Sequence, residues 1–421
     1  MLSFKLFPHR RSAKKRRHLK DYFKISKAGV ITGAADNDPS GIVTYTQVGA
    51  LTRFSQLWLM LLTIPMLIEI EEMSARVGVV TKHGLNSNIK KHFGLKVALS
   101  AGLIVLICNI ATIGADIAGM AAVSGLLTGI SWIYFIIPIA LILGYVLVKE
   151  NFKKVSRFLF LLTPVFFLYV ITAFIISPPW REVLRSTFIP QLKFNFTYLM
   201  AAVALLGTTI SPYLIFWQTT EEVEEKKTVK DLRQESKGVA WGMIFCNLIF
   251  YFIILTAGAV LFGHLEGGIK TAAEAASVFR PLAGDLAFLL FSLGILGSGI
   301  IAVPVLASSA AYVLADTLGW KEGLDKTLVQ AKAFYLVIIL ALFLGVGLIL
   351  LGLSPIQMLF YSQVLNGILV PILLILVLRI CNSQKIMGPH INSRWDNFIG
   401  WGTVLVMSLF SILMFWQIIV K

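Results

Sequence analysis

Long apolar runs, returning almost without pause from residue 26 to residue 419, constrain this chain more than any other feature. A helix needs about 20 mostly apolar residues to cross the hydrocarbon of a bilayer. Eleven segments meet that length, at residues 26–51, 57–80, 97–127, 131–148, 155–177, 196–219, 238–263, 281–315, 331–353, 356–379 and 397–419. They are continuous rather than alternating, which excludes the strands of a membrane β-barrel. The chain therefore reads as an all-α polytopic membrane protein with about 11 transmembrane helices.

The net charge of +15 raises the question of nucleic acid, and the placement of the basic residues answers it. With the N-terminus in the cytoplasm, only Arg53, Arg181, Arg185, Lys193, Lys270, Arg280 and Lys421 fall in outer segments. Arg76 lies inside the second span, and the rest of the 37 Lys and Arg are cytoplasmic. That bias orients the chain with its N-terminus inside and its C-terminus outside. The cluster from Arg10 to Lys20 suits anionic lipid headgroups, so membrane lipid, not nucleic acid, is the expected partner. No small-residue cleavage pattern follows it, so residues 1–25 read as a cytoplasmic segment rather than a signal peptide. Cys108, Cys246 and Cys381 have no metal or disulfide spacing and read as small core residues.

Against this apolar background, the polar residues inside the spans carry the information. The first span contains Asp36-Asn37-Asp38-Pro39-Ser40-Gly41. An acid at mid-bilayer costs roughly 2.5–3.5 kcal/mol even on the mildest scale, so two of them two residues apart mark function. Pro39 removes a backbone donor and Gly41 loosens the chain, so a break over Asp38–Gly41 is expected, with carbonyls bared beside the acids. Breaks of this kind hold cations inside membranes.

The sixth span contains a second hydroxyl-rich, proline-broken stretch, Gly207-Thr208-Thr209-Ile210-Ser211-Pro212-Tyr213. Five crossings run from each break to the end of its half, and an odd number inverts the second half. Residues 26–177 (helices 1–5) and 196–379 (helices 6–10) thus form an inverted repeat, with helix 11 at 397–419 added. Interrupted segments at matching positions of two inverted halves point to a transporter's binding site near the midplane.

Other polar residues are placed by helical spacing. Asn109 and Asp116 share a face of the third span, where Asp116 is either paired or in a water-filled path. Glu72 and Arg76, four apart, are expected to pair within the second span. Gln363 and Asn366, three apart in the tenth, present two amides to one side. Spans four and five read as scaffold, and the glycines 294, 297 and 299 of the eighth suit close helix packing.

These residues resemble the NRAMP family of divalent metal transporters along the whole chain. Ser74 to Thr81 is similar to that family's helix 2 ending, Asp38-Pro39 to the first half of its helix 1 motif, and Gln363 falls where it places a polar residue near the ion. The departures are chemical. Ser40-Gly41 replaces Gly-Asn, Ser211 replaces a Met, Tyr213 replaces a His, and Thr208 stands where an Ala offers its carbonyl. Asn109 and Gly119 replace two glutamates of the proton route, leaving Asp116. Thioether sulfur favours softer transition metals, whereas Mg2+ takes oxygen ligands and keeps several waters. The chain is most similar to the NRAMP-related magnesium transporter branch.

The resemblance implies an amino-acid/sodium symporter-like fold with broken helices 1 and 6, and transport of Mg2+ and Mn2+ across the cytoplasmic membrane without obligatory proton movement. It implies ligation by Asp38, the Ala35 and Thr208 carbonyls, Ser40, Gly41, Ser211 and Gln363, with Asp36, Asn37, Tyr213, Asn366 and Asp116 lining the pocket. No cofactor is expected, and the chain is expected to be a monomer. The alternatives are a proton-coupled Mn2+/Fe2+ symporter, a sodium-coupled carrier of an organic solute, and a membrane-embedded enzyme or receptor scaffold. The last lacks any metalloprotease or phosphate-loop motif.

Overall fold

A computed structural model describes residues 37–149, 165–265, 267–324 and 326–420. Among the described residues the regular structure is helical throughout. The principal helices are α1 (Pro39–Thr52), α2 (Leu57–Thr81), α3 (Leu85–Phe93), α4 (Leu95–Thr128), α5 (Ile133–Lys149), α6 (Phe167–Ile176) and α7 (Trp180–Phe188). They continue as α8 (Phe196–Thr209), α9 (Pro212–Glu224), α10 (Leu232–Val260), α11 (Ala287–Leu318), α12 (Lys332–Ile349), α13 (Pro355–Cys381) and α14 (Arg394–Ile419). The basic N-terminal segment, the rising part of the first span with Ala35 and Asp36, and much of the fifth span lie outside the described residues.

Both breaks have one local cause. Asp38 and Ser211 are extended, and each is followed by a proline at the first position of a helix. Proline disfavours the helical region for the residue before it and is well suited to the first helical position, where its missing N–H has no helical partner to lose. The expected break over Asp38–Gly41 is therefore corrected. Pro39, Ser40 and Gly41 already form the first turn of α1, and Asp38 is its cap.

The α8–α9 pair is buried along almost its whole length and forms the centre of the bundle. α1 packs on α10, α8 and α13, while α4 packs on α11, α12 and α13. α14 lies at the periphery and exposes Trp395, Phe398, Trp401 and Trp416, as expected of aromatic residues at a bilayer surface. Backbones approach closely where glycines remove the side chain. A β-carbon on Gly114 of α4 would overlap the Gly345 carbonyl of α12, and one on Gly207 of α8 would overlap the Gln363 carbonyl of α13. In lipid such contacts replace the hydrophobic drive between helices.

One local expectation differs from the structure, and two segments between the apolar spans are helical. Arg76 does not pair within its own helix with Glu72: it reaches Asp396 of α14 at 2.9 Å and Asn392 at 2.7 Å. Asp396 caps its helix with Ser393, so a fixed carboxylate across the groove outcompetes a flexible neighbour four residues away. The segment after Pro178-Pro179 contains the amphipathic helix α7, tied by a 3.0 Å ion pair between Glu182 and Arg53. The polar stretch after α2 likewise folds as α3, whose Asn86 amide donates to the Ala98 and Val313 carbonyls at 3.2 and 3.1 Å.

The α4–α12 crossing yields a direct test. A β-carbon at Gly345 would sit 2.9 Å from Ile113 Cγ2 and 3.0 Å from the Gly114 nitrogen. Gly345→Val should destabilise the purified protein by about 1–3 kcal/mol through overpacking, seen as a lower thermal unfolding midpoint in detergent.

Candidate functional site

At the first break the α1 N-terminus gathers two carboxylates from two helices. Asp38 is 2% exposed and accepts a hydrogen bond from the Gly41 N–H. One turn of free N–H groups at a helix start favours negative charge, which helps hold this acid in the bundle. Asp116 of α4 is fully buried and accepts from both donors of Ser40, the N–H at 3.0 Å and the hydroxyl at 2.5 Å. The third-span acid that spacing left open between pairing and a water path is thus bonded to the first break. Asn37 donates its amide to Cys246 of α10 at 3.5 Å.

The second break is organised from within. The Ser211 hydroxyl donates to the Thr208 carbonyl at 2.9 Å and lies 3.3 Å from that of Gly207. The carbonyl assigned to a ligand role thus accepts this bond with one of its two lone pairs. Tyr213, the second residue of α9, is 1% exposed, and its carbonyl accepts from Ser309 of α11 at 3.2 Å. The two breaks are tied by Tyr45 of α1 and Thr209 of α8, whose hydroxyls are 2.9 Å apart. Neither residue was singled out in the sequence, because a Tyr seven residues after Asp38 looks like ordinary core.

α13 closes the arrangement. The Gln363 backbone lies against Gly207, one turn before Ser211, and its side-chain oxygen accepts from the Asn366 amide at 2.9 Å. Asn366 also lies 3.5 Å from the Thr112 hydroxyl of α4, one turn before Asp116. A polar path therefore runs from Gln363 through Asn366 to Thr112, is carried one turn along α4 to Asp116, and continues through Ser40 to the turn capped by Asp38. Asn109, two turns from Asp116, is turned to the Leu306 carbonyl of α11 at 3.0 Å and anchors the helix pair.

The path is rich in acceptors. Asp116 Oδ2 and Asn366 Oδ1 are buried without a hydrogen-bond partner. Buried acceptors of this kind are costly unless a donor or a cation answers them. Among the described residues no three His, Cys, Asp or Glu side chains meet in a metal-type cluster. A cation here would be held by few acids and by hydroxyl, amide and carbonyl oxygens. A thioether stands nearby: Met120 of α4 and Pro39 pack together against Gly299 of α11.

A cavity lies where α1 ends and α8 and α13 begin. Its volume is about 340 Å³, and it is lined by Gln47, Thr197, Lys270, Ser354, Gln357 and Tyr361, among others. Gln47 sits nine residues along α1 from Asp38, roughly 13 Å by helical rise. It accepts at 2.6 Å from the Ile269 N–H of the facing loop.

Comparison with known proteins adds a family. The model described as natural resistance-associated macrophage protein-like matches residues 29–417. The divalent metal cation transporter MntH of Staphylococcus haemolyticus is 24% identical over 407 residues, covering 91% of this chain and 90% of that protein. MntH of Klebsiella pneumoniae is 24% identical over 377 residues, covering 88% of each. Among solved structures, a mutant of the manganese transporter of Eremococcus coleocola superposes with a TM-score of 0.75 at 16% identity, covering 97% of this chain and 88% of that one. MhsT in complex with L-phenylalanine gives 0.64 at 13% identity, with 93% and 98% covered. At these identities the structural likeness is one of fold, and it bears out the broken-helix inverted repeat.

The Tyr45–Thr209 bond gives this site a thermodynamic test. Tyr45→Phe and Thr209→Val should each cost about 1 kcal/mol of stability. In a double-mutant cycle the pair should cost less than the sum, showing that the breaks are coupled.

Proposed function

The chain belongs to the natural resistance-associated macrophage protein-like family, and from that premise we propose that it carries Mg2+ and Mn2+ across the cytoplasmic membrane. It is a transporter and not an enzyme, in keeping with relatives named as divalent metal cation transporters. The observation that carries the reading is the gathering of Asp38, Ser40 and Asp116 at one helix break, joined through α4 to Gln363 and Asn366, with acceptor oxygens left unpartnered.

In this reading Asp38 is the charged anchor. Ser40, Ser211, the Thr208 carbonyl and Gln363 complete an oxygen shell, directly or through water, and Gly41 leaves room for a partly hydrated ion. Ala35 and Asp36 belong to the same proposal from sequence alone, since they lie outside the described residues. Asn37, Tyr213, Asn366 and Asp116 line the pocket. An all-oxygen shell does not discriminate against Mg2+ as a sulfur ligand does. With the N-terminus cytoplasmic, the C-terminus outside and the chain a monomer, a potential of 100 mV drives a doubly charged ion inward with about 4.6 kcal/mol. Uptake then needs no coupled proton.

One observation favours the runner-up, a proton-coupled Mn2+/Fe2+ symporter. Asp116 of α4 is a second acid, bonded to the turn that Asp38 caps, and the Met120 thioether beside Pro39 would suit a softer ion.

Flux into proteoliposomes with internal pH recorded separates these readings. Asp38→Ala should abolish Mn2+ and Mg2+ uptake in a folded protein, and normal uptake by it would overturn the site. Ser211→Met should shift the rate ratio toward Mn2+ over Mg2+, and an unchanged ratio would count against the oxygen shell. Metal influx should leave internal pH unchanged once the membrane potential is clamped, whereas acidification tracking influx would establish the coupled reading.

A further inference from the structure

Glu71 lies in α2, is 1% exposed, and neither of its carboxylate oxygens has a hydrogen-bond partner. A carboxylate inside a membrane bundle is costly and is answered by a cation, a proton or a polar partner at some stage of function. Its position says which. Ser74, three residues on, offers its carbonyl to the Thr219 hydroxyl of α9 at 3.0 Å, and a β-carbon on Gly78 would overlap the Thr219 carbonyl. Glu71 and Gly78 are seven residues apart and so share one face of α2, the face turned to α9.

Because α2 and α9 run side by side in the same sense, Glu71 stands level with the second turn of α9. That is roughly 8 Å along the axis from the Ser211 break. Farther along the same seam is Glu222, fully buried, with Oε1 accepting from Gln218 at 2.8 Å and Oε2 without a partner. The seam then ends at Lys227, which pairs with Glu235 at 2.6 Å and Glu225 at 3.3 Å. Unpartnered carboxylate oxygens thus recur along the contact between α2 and α9, from the level of the second break toward the end of α9 near Lys227.

We propose that Glu71 is a second divalent-cation station, which takes the ion from the helix breaks and hands it along the α2–α9 seam past Glu222. This rests on the reading of the chain as a divalent-cation carrier. One carboxylate with hydroxyls and water holds a hydrated ion weakly, and weak, repeated binding is what lets an ion leave a membrane path.

The test compares Mn2+ flux through Glu71→Gln, Glu71→Asp and Asp38→Ala in proteoliposomes, each divided by the folded protein recovered in the vesicles. Glu71→Gln has the shape and hydrogen-bonding capacity of a neutral acid, so a merely structural carboxyl would tolerate it. The station predicts a maximal rate lower by about tenfold with a half-saturating Mn2+ concentration changed by less than about twofold. Glu71→Asp, which keeps the charge, should recover most of the rate. A Glu71→Gln rate equal to that of the unaltered chain, or a Glu71→Asp rate no better than Glu71→Gln, would overturn the station. If Asp38→Ala is inactive while Glu71→Gln is normal, the station alone falls. If Asp38→Ala transports normally, the helix-break reading itself falls.

Discussion

A helix that begins inside a bilayer exposes N–H groups that no lipid can satisfy, and this chain begins two of them there. Both starts are written as one residue in extended conformation followed by a proline, Asp38-Pro39 and Ser211-Pro212. The first is answered by two carboxylates, one from its own cap and one from α4. The second is held by Ser211 turning back onto the last carbonyls of α8. The surrounding bundle follows from keeping these two points together. Gly207 brings α13 against α8, Gly299 brings α11 against the first break, and Tyr45–Thr209 joins the breaks directly.

The same arrangement sets the electrostatics of the proposed site. Asp38 is partly balanced by the positive start of α1, so its charge is neither bare nor fully neutralised. An arriving divalent ion meets one acid engaged by a single backbone N–H and a second whose other oxygen has no partner. Binding of moderate strength is the physical expectation for such a site, because a fully preformed cage of several acids would hold the ion too tightly to release it. The unpartnered oxygens of Glu71 and Glu222 extend this condition toward the face carrying Lys227.

Much of this was legible in the sequence, and the reason is that lipid simplifies the code. Acids, prolines and amides inside apolar spans are expensive, so Asp38, Asp116, Ser211-Pro212, Gln363 and Asn366 stood out at once. Inversion followed from counting crossings. What the sequence did not disclose depends on which faces meet across the bundle. Helical spacing paired Arg76 with Glu72, but α14 brings Asp396 to it. Ser40 was read as part of an opened loop, whereas proline at the first helical position makes it the donor that recruits Asp116. Tyr45 and Thr209 carry no signal of their own, since a buried Tyr or Thr in a membrane helix is common. The amphipathic helices α3 and α7 were hidden because their polar faces look like loop when the apolar spans dominate the profile.

The central claim is that the two breaks form one cation site around Asp38. Anomalous diffraction from crystals of the full chain soaked in Mn2+ tests it most directly. The account predicts an anomalous peak within coordination distance of the Asp38 carboxylate, between the start of α1 and the Thr208–Ser211 turn, and its loss in Asp38→Ala crystals. A peak that persists in Asp38→Ala, or one found only away from both breaks, would contradict it.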